Sequence, residues 1–466
     1  MLKNTIYTVF AVIVITAAIL STNITDGINS TACCKNSREH IASWTVMYYM
    51  CGDSKGMNEH IDPLLNNLSR VGSTDDLNII ALVDKKGVGD SKLYYIDKNG
   101  DRNELNDVFG WPDELDTGSS ITLETYCKQI MHLYPAKHYA LITYASGGTG
   151  WQLYSLHDSS SGKQGLTIPA FANTLKNITT SVNHKIDVLF VSCAMGMTEV
   201  AYEISPYVDY MVSTEDCLSR EHLVERFYQP VWDLKNNTNM SPEEFTKKAP
   251  ARLKPISFYY MESYYGKLPF LNKILNKLPF PGLHTVVFYD STAVVNLSKI
   301  NNLINAVNDL SSFLILNIHK EDVREGIEKT RLTVREYGKC FPKLPILGPL
   351  HWTLKLDILE VEACDHFVDL YDFAEKLKNS VQNPYIQNLC NIVMERLNET
   401  IPAIKRVSGD PSHGLSIYLP SNKLMYNRYV LGGKIPCPYE NLRFSRETLW
   451  DDFVKTYLQV KKQAVK

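Results

Sequence analysis

The stretch Asp187-Val-Leu-Phe-Val-Ser-Cys193-Ala-Met-Gly-Met-Thr-Glu199 decides the fold of this 466-residue chain. Its apolar run leads through Ser192 directly into Cys193, and apolar residues at helical spacing follow. A short continuous apolar run is typical of a buried parallel strand, so we predict a strand over 187–192 and a helix over 196–205. The carboxyl end of such a strand is where open α/β sheets place their chemistry. Cys193 is therefore the candidate nucleophile, and the alternative is a buried structural cysteine.

The same alternation of strands and helices recurs on both sides of this stretch. Apolar runs predict further strands at 44–50, 77–83, 139–144 and 210–213. Strands that alternate with helices form a mainly parallel sheet covered on both faces, so we predict an α/β fold. Beyond about residue 258 the pattern becomes helix-rich. We therefore expect one domain over 44–258 and an α+β C-terminal region over 259–466.

The N-terminus has the pattern of a secretory signal peptide. A charged start at Lys3 precedes an apolar run from Ile6 to Leu20, which is too short for a comfortable membrane span. We predict that residues 1–22 are cleaved and that the chain is secreted or lumenal; the alternative is an uncleaved signal anchor. The polar residues 23–43 predict a flexible lead-in.

Glycosylation sequons support this localisation, because Asn-x-Ser/Thr is a glycan acceptor on the surface of a secreted protein. The eight sequons begin at Asn23, Asn29, Asn67, Asn177, Asn236, Asn239, Asn296 and Asn398.

Composition argues against several classes of function. A net charge of −3 gives no basic face for nucleic acid. The ten cysteines lack the spacing of zinc ligands, so the residues predict no metal. In a secreted chain some cysteines would form disulfides, with Cys340, Cys364, Cys390 and Cys437 as the natural candidates and their connectivity open.

Several motifs, in order along residues 44–460, resemble those of the clostripain family of cysteine peptidases. They are Tyr49-Met50-x-Gly52-Asp53, Tyr134-Pro135-Ala136, Gly165-Leu-Thr-Ile168, Cys193-x-Met195-Gly-Met197-x-Glu199, Asp369-Leu-Tyr-Asp-Phe373 and Gly414-Leu-Ser-Ile-Tyr418. The resemblance implies a caspase-like sheet flanked by helices, Cys193 as the nucleophile, and a peptide or protein as the ligand. The residues call for no cofactor, and calcium, on which some members of the family depend, is implied by the resemblance alone.

The family's catalytic histidine is replaced. That histidine activates the thiol and protonates the leaving amine. The family's motif resembles Asp-His-Gly-Ser-Gly-Trp, whereas Ala145-Ser146-Gly147-Gly148-Thr149-Gly150-Trp151 has Ser146 at the histidine position and one extra residue. The resemblance assigns the Gly147 amide to the oxyanion hole. Because a serine hydroxyl does not titrate near neutral pH, we expect a catalytically inactive, peptide-binding or regulatory protein.

An active enzyme is the alternative, and it needs another base. His157, on the loop after Trp151, is the candidate, and with it the chain would be a secreted cysteine endopeptidase. His138 and His184 precede the carboxyl ends of their strands by too many residues, so we expect both at the opposite edge of the sheet.

The acid that family members usually carry just before the nucleophile is also replaced. Here Val191-Ser192 takes the place of Asp-Ala, which removes one support for binding a basic substrate side chain. Glu215 and Asp216, after the strand at 210–213, are the candidates to supply negative charge instead. The alternative for these two acids is a solvent-exposed turn.

Overall fold

A computed structural model describes most of the chain. The described residues are 40–53, 57–145, 150–152, 156, 158, 160, 165–191, 194–216, 223–252, 257–260, 286–289, 291–337, 366–406, 410, 412–420, 426 and 437–464. The predictions that fall outside these residues concern the signal peptide 1–22, Asn23, Asn29, Ser146, Gly147, His157, Cys193, Cys340 and Cys364.

A nine-stranded sheet forms the centre of the described structure. The strands of the protein are β1 (Ala42–Cys51), β2 (Leu77–Asp84), β3 (Lys92–Ile96), β4 (Arg102–Glu104), β5 (Ala136–Tyr144), β6 (Ile186–Phe190), β7 (Val208–Ser213), β8 (Ser257–Tyr260), β9 (Val286–Tyr289), β10 (Thr292–Asn296), β11 (Glu336–Tyr337), β12 (Phe367–Asp369), β13 (Ala403–Lys405) and β14 (Ser416–Tyr418). The order in the large sheet is β13-β10-β7-β6-β5-β1-β2-β3-β4. Its five central strands are parallel, and the flanking pairs are antiparallel. The predicted mainly parallel sheet is therefore confirmed.

Both faces of the sheet are buried, which explains the continuous apolar runs. Along β1, Met47 and Tyr49 pack into one hydrophobic core, whereas Val46 and Tyr48 pack into a second core on the other face. Since successive side chains of a strand point to opposite faces, a strand covered twice has no polar alternation.

Helices cover the two faces. They are α1 (Asn58–Val71), α2 (Asn106–Phe109), α3 (Ser120–Leu133), α4 (Ile168–Val182), α5 (Thr198–Ile204), α6 (Leu223–Asn236), α7 (Pro242–Arg252), α8 (Ile300–Asn317), α9 (Glu321–Thr333), α10 (Leu370–Ser380), α11 (Pro384–Thr400), α12 (Arg443–Glu447) and α13 (Trp450–Ala464). Buried side chains of α3, α4, α5 and α8 belong to one core, and those of α1, α6 and α7 belong to the other. The helix predicted at 196–205 begins two residues later than expected, at Thr198.

The C-terminal region is helix-rich, as predicted, and it completes the large sheet. Strands β10 and β13 extend that sheet beyond β7. A small sheet of order β11-β12-β14 packs beside the end of β6, where Met197 bridges Ser416. The boundary at residue 258 stays a prediction.

The structure bears on three further predictions, which concern membrane-spanning helices, glycosylation sequons and disulfides. Within the described residues, no helix has both the length and the apolarity to cross a membrane. The sequon asparagines 177, 236, 239 and 398 are exposed, and Asn67 and Asn296 are half-buried. Cys390 and Cys437 are buried free thiols, so neither forms a disulfide with a described cysteine. Glycosylation and the disulfide pattern stay predictions.

Candidate functional site at the carboxyl edge of the sheet

The residues that flank Ser146 and Cys193 lie at the same edge of the sheet. Strands β5 and β6 are parallel neighbours with Ile142 opposite Phe190. Ala145 is the last described residue before Ser146, and Val191 is the last described residue before Cys193. Both therefore stand at the carboxyl end of adjacent strands, where the sequence predicts the chemistry.

The two chain segments that follow these strands also meet. A Cβ atom added at Gly150 would overlap the sulfur of Met197 and would lie 3.3 Å from the carbonyl oxygen of Ala194. Gly150 also has a φ of +55°, a conformation that other residues rarely adopt. The glycine thus allows the segment after β5 to pack directly against the segment after β6.

The turn after β6 is fixed by hydrogen bonds to the end of β7. The Ala194 amide donates to the carbonyl oxygen of Asp216 at 3.1 Å, and the Gly196 amide donates to that of Thr214 at 2.9 Å. Ala194 has a φ of +53°, which is uncommon for a residue with a side chain. A Cβ at Gly196 would lie 2.8 Å from the Thr214 carbonyl, so only glycine fits there. The residue directly after Cys193 is therefore rigidly placed.

Glu199, in the motif that resembles the family's nucleophile segment, is a structural residue. Its fully buried carboxylate accepts hydrogen bonds from the Tyr418 amide at 2.8 Å and the Tyr439 hydroxyl at 2.9 Å. It therefore joins α5 to β14. Burial raises the pKa of Glu199 to about 7, because the carboxylate loses its hydration.

Glu215 is buried and does not form the solvent-exposed turn that was the alternative. Its side chain is 1% exposed, and its Oε2 accepts a hydrogen bond from the Gly414 amide at 2.6 Å. Burial raises the pKa of Glu215 well above its usual value, and the nearby carboxylates of Asp369 and Asp410 raise it further. The solvent-exposed interpretation is wrong because distant segments of the chain cover this turn.

Asp216 is likewise buried, at 2% exposure, and faces a cation of the same chain. Nη2 of Arg335 lies 3.6 Å from Asp216 Oδ2. Whether Glu215 and Asp216 bind a substrate side chain stays a prediction.

His413 is a candidate residue that the sequence analysis missed. Its Nδ1 lies 3.1 Å from Oδ1 of the fully buried Asp369, and its ring stacks on Tyr371 at 4.2 Å. It precedes Gly414, which is bound to Glu215, so it lies at the carboxyl edge of the sheet. The sequence contains a signal for His413, because its partner Asp369 and its neighbour Gly414 begin two of the motifs that carry the resemblance.

His138 and His184 lie at the opposite edge of the sheet, as predicted. His138 is at the start of β5, where its Nδ1 lies 2.9 Å from Asp187 Oδ1. His184 precedes β6 and lies 3.9 Å from the same carboxylate. Neither imidazole can serve chemistry at the carboxyl ends of these strands.

A group of carboxylates offers oxygen ligands beyond β2. Asp84, Asp90 and Glu114 have carboxylate oxygens within 4.8 Å of one another. The Asp84 carboxylate already accepts hydrogen bonds from the hydroxyls of Ser91 at 2.6 Å and Thr117 at 3.0 Å. Hard cations such as calcium prefer oxygen ligands, so this donor set is chemically compatible with calcium. Calcium dependence stays a prediction.

The raised pKa of Glu199 predicts a pH-dependent stability. Between its usual value of 4.5 and the folded value of about 7, the native state binds a proton that the unfolded state has lost. The contribution of Glu199 to the free energy of unfolding is therefore most favourable below pH 4.5. It falls by roughly 3 kcal/mol as the pH rises to 7. Glu199→Gln imitates the protonated acid. We expect its free energy of unfolding in urea, relative to wild type, to increase by about the same amount between pH 4.5 and pH 7. Glu59→Gln, at an exposed carboxylate of α1, is the control. An unchanged difference between Glu199→Gln and wild type across the range would contradict the assignment.

Comparison with known proteins agrees with this architecture. Residues 48–219 match the model of the Clostripain family. Clostripain from Hathewaya histolytica is 24% identical over 453 residues, which cover 86% of this chain and 78% of that protein. A secreted C11 cysteine protease from Bacteroides thetaiotaomicron, solved with an irreversible peptide inhibitor, is 15% identical with a TM-score of 0.55, covering 88% of this chain and 100% of that one. An inactive zymogen C11 protease from Parabacteroides distasonis is 14% identical with a TM-score of 0.54, covering 88% and 99%. Residues 48–219 are thus similar in sequence to the Clostripain family, and most of the chain shares the fold of the two C11 proteases.

Proposed function

We propose that this chain is a peptide- or protein-binding member of the clostripain family that has lost peptidase turnover. The proposal rests on Ser146, which the motif resemblance places where the family has its catalytic histidine. Without an imidazole there, no group at that position takes the thiol proton or returns it to the leaving amine. The aligned nucleophile, Cys193, is retained.

The packing around the site supports a retained peptide groove. Gly150 packs the segment after β5 against the segment after β6. Ala194 and Gly196 bind the segment after β6 to the residues after β7, and none of these contacts involves a histidine. The related protease from Bacteroides thetaiotaomicron carries an irreversible peptide inhibitor on the same fold. We therefore expect a peptide-binding site to persist without the base.

A working peptidase is the second candidate, and one observation favours it. The Asp369 carboxylate 3.1 Å from His413 Nδ1 has the arrangement in which an acid orients a catalytic imidazole. His413 is thus a candidate base alongside His157.

Peptide cleavage and peptide binding separate the two candidates. The purified chain and its Cys193→Ala variant are assayed on fluorogenic peptides that differ at P1, the residue before the scissile bond. Binding of the same peptides is followed by fluorescence anisotropy. We expect no cleavage above the Cys193→Ala background, together with peptide binding that survives this substitution. Cleavage that disappears in Cys193→Ala would contradict the proposal. Loss of that cleavage in His413→Gln or in His157→Gln would then identify the base.

We also propose that the chain enters the secretory pathway. The apolar N-terminal run and the exposed sequons support this, and one relative is a secreted protease. Expressed in eukaryotic cells, the protein should begin near Asn23 and lose mass on deglycosylation. An unglycosylated cytosolic protein that still begins at Met1 would contradict secretion.

A further inference from the structure

Two buried glutamates of the large-sheet region hold the segment 414–418, which contains β14. We propose that Glu199 and Glu215 form a proton-dependent latch, which holds this segment closed when both acids are neutral and lets it open when they ionise. The inference goes beyond the proposed function, because it applies whether or not the chain binds or cleaves peptides.

The two edges of segment 414–418 are held in different ways. On one edge, β14 forms a regular antiparallel pair with β12. On the other edge, three alternate amides donate hydrogen bonds: Gly414 to Glu215 Oε2 at 2.6 Å, Ser416 to the Gly196 carbonyl at 2.9 Å, and Tyr418 to Glu199 Oε1 at 2.8 Å. A neighbouring strand would offer backbone carbonyls to all three amides. Here two of the three acceptors are carboxyl groups, whose charge changes with pH.

Both carboxyl groups are removed from water. Glu199 is 0% exposed and Glu215 is 1% exposed. Glu199 Oε2 and Glu215 Oε1 are buried without a hydrogen-bond donor among the described residues. A buried carboxylate is costly unless it is paired and fully hydrogen-bonded, so the closed segment favours the neutral acids.

The titratable groups around Glu199 do not compensate a negative charge. The Tyr439 hydroxyl donates to Glu199 Oε1 at 2.9 Å, and Asp451 of α13 acts on Tyr439 from beyond it. An ionised Glu199 would therefore face a neutral phenol backed by another acid.

The surroundings of Glu215 are more acidic still. The groups that act on it are the carboxylates of Asp369 and Asp410 and the phenol of Tyr337. The basic groups of this region contact other acids: His413 Nδ1 lies 3.1 Å from Asp369 Oδ1, and Arg335 Nη2 lies 3.6 Å from Asp216 Oδ2. Ionisation of Glu215 would thus add charge to an existing group of carboxylates.

These surroundings set the direction of the pH dependence. Burial raises the pKa of Glu199 to about 7 and that of Glu215 well above its usual value of 4.5. Opening returns both acids to water, so above pH 4.5 the open state loses protons that the closed state keeps. Closure is therefore most favoured below pH 4.5 and weakens as the pH rises towards the folded values. Because one pKa unit is a factor of ten, we expect opening to increase by roughly tenfold or more between pH 5 and pH 7.

Amide hydrogen exchange of the full chain measures this opening. Peptides that cover 412–420 report the three amides of the latch, and peptides that cover 42–51 report global unfolding through the central strand β1. After correction for the intrinsic pH dependence of exchange, protection of 412–420 should fall by roughly tenfold or more from pH 5 to pH 7. At each pH it should also lie below the protection of 42–51.

Glutamine variants identify the groups responsible. Glu199→Gln and Glu215→Gln keep an oxygen acceptor but cannot ionise, so each should reduce the pH dependence and leave 412–420 better protected at pH 7. Glu203→Gln is the matched control, because Glu203 is a buried acid of the same helix whose carboxylate accepts the Arg443 amide of α12. The second control, His413→Gln, removes the imidazole. Both controls should keep the pH dependence at 412–420.

Four results would overturn the inference. They are wild-type protection of 412–420 that does not change with pH, loss of protection only together with 42–51, an unchanged pH dependence in Glu199→Gln and Glu215→Gln, and loss of that dependence in either control. If one of the two latch variants does not fold, the other still decides. Failure of peptide binding would count against the proposed function and would leave these expectations unchanged.

Discussion

The backbone hydrogen bonds that fix residues 194–197 are the constraint on which the rest of the site depends. On one side, Ala194 and Gly196 donate to the carbonyl oxygens of Asp216 and Thr214 at the end of β7. On the other side, the Ser416 amide donates to the Gly196 carbonyl at 2.9 Å. The segment after the nucleophile is thus clamped between the large sheet and the small C-terminal sheet.

These hydrogen bonds give a structural reason for several of the motifs that resemble the clostripain family. Glu199 joins α5 to Tyr418, and Gly150 is the close contact between the two segments at the site. These contacts belong to the packing of the fold and do not themselves involve peptide cleavage. Their presence therefore indicates the architecture, and the catalytic competence depends on the few groups that move protons.

The sequence predicts the fold better than it predicts the surroundings of the site. The central strands are evident because burial on both faces makes their sequences continuously apolar. Strands β10 and β13 are short and far along the chain, so no local pattern assigns them to the same sheet. The partners of Glu215 and Asp216 are Gly414 and Arg335, which are distant in sequence, and a local pattern of two acids after a strand cannot show that these residues cover them. Asp369 and His413 are 44 residues apart, so their pairing also emerges only from the tertiary structure.

We propose that Cys193 lacks a basic partner, and the pKa of its thiol tests this proposal most directly. The pKa can be measured from the ultraviolet absorbance of the thiolate, as the difference between wild type and Cys193→Ala over a pH titration. We expect a pKa at or above that of an ordinary cysteine, about 8.5, because without an imidazolium the thiolate is not stabilised. A pKa between about 3.5 and 7.5 that rises in His413→Gln or His157→Gln would contradict it, since it would show a thiolate–imidazolium pair at the site.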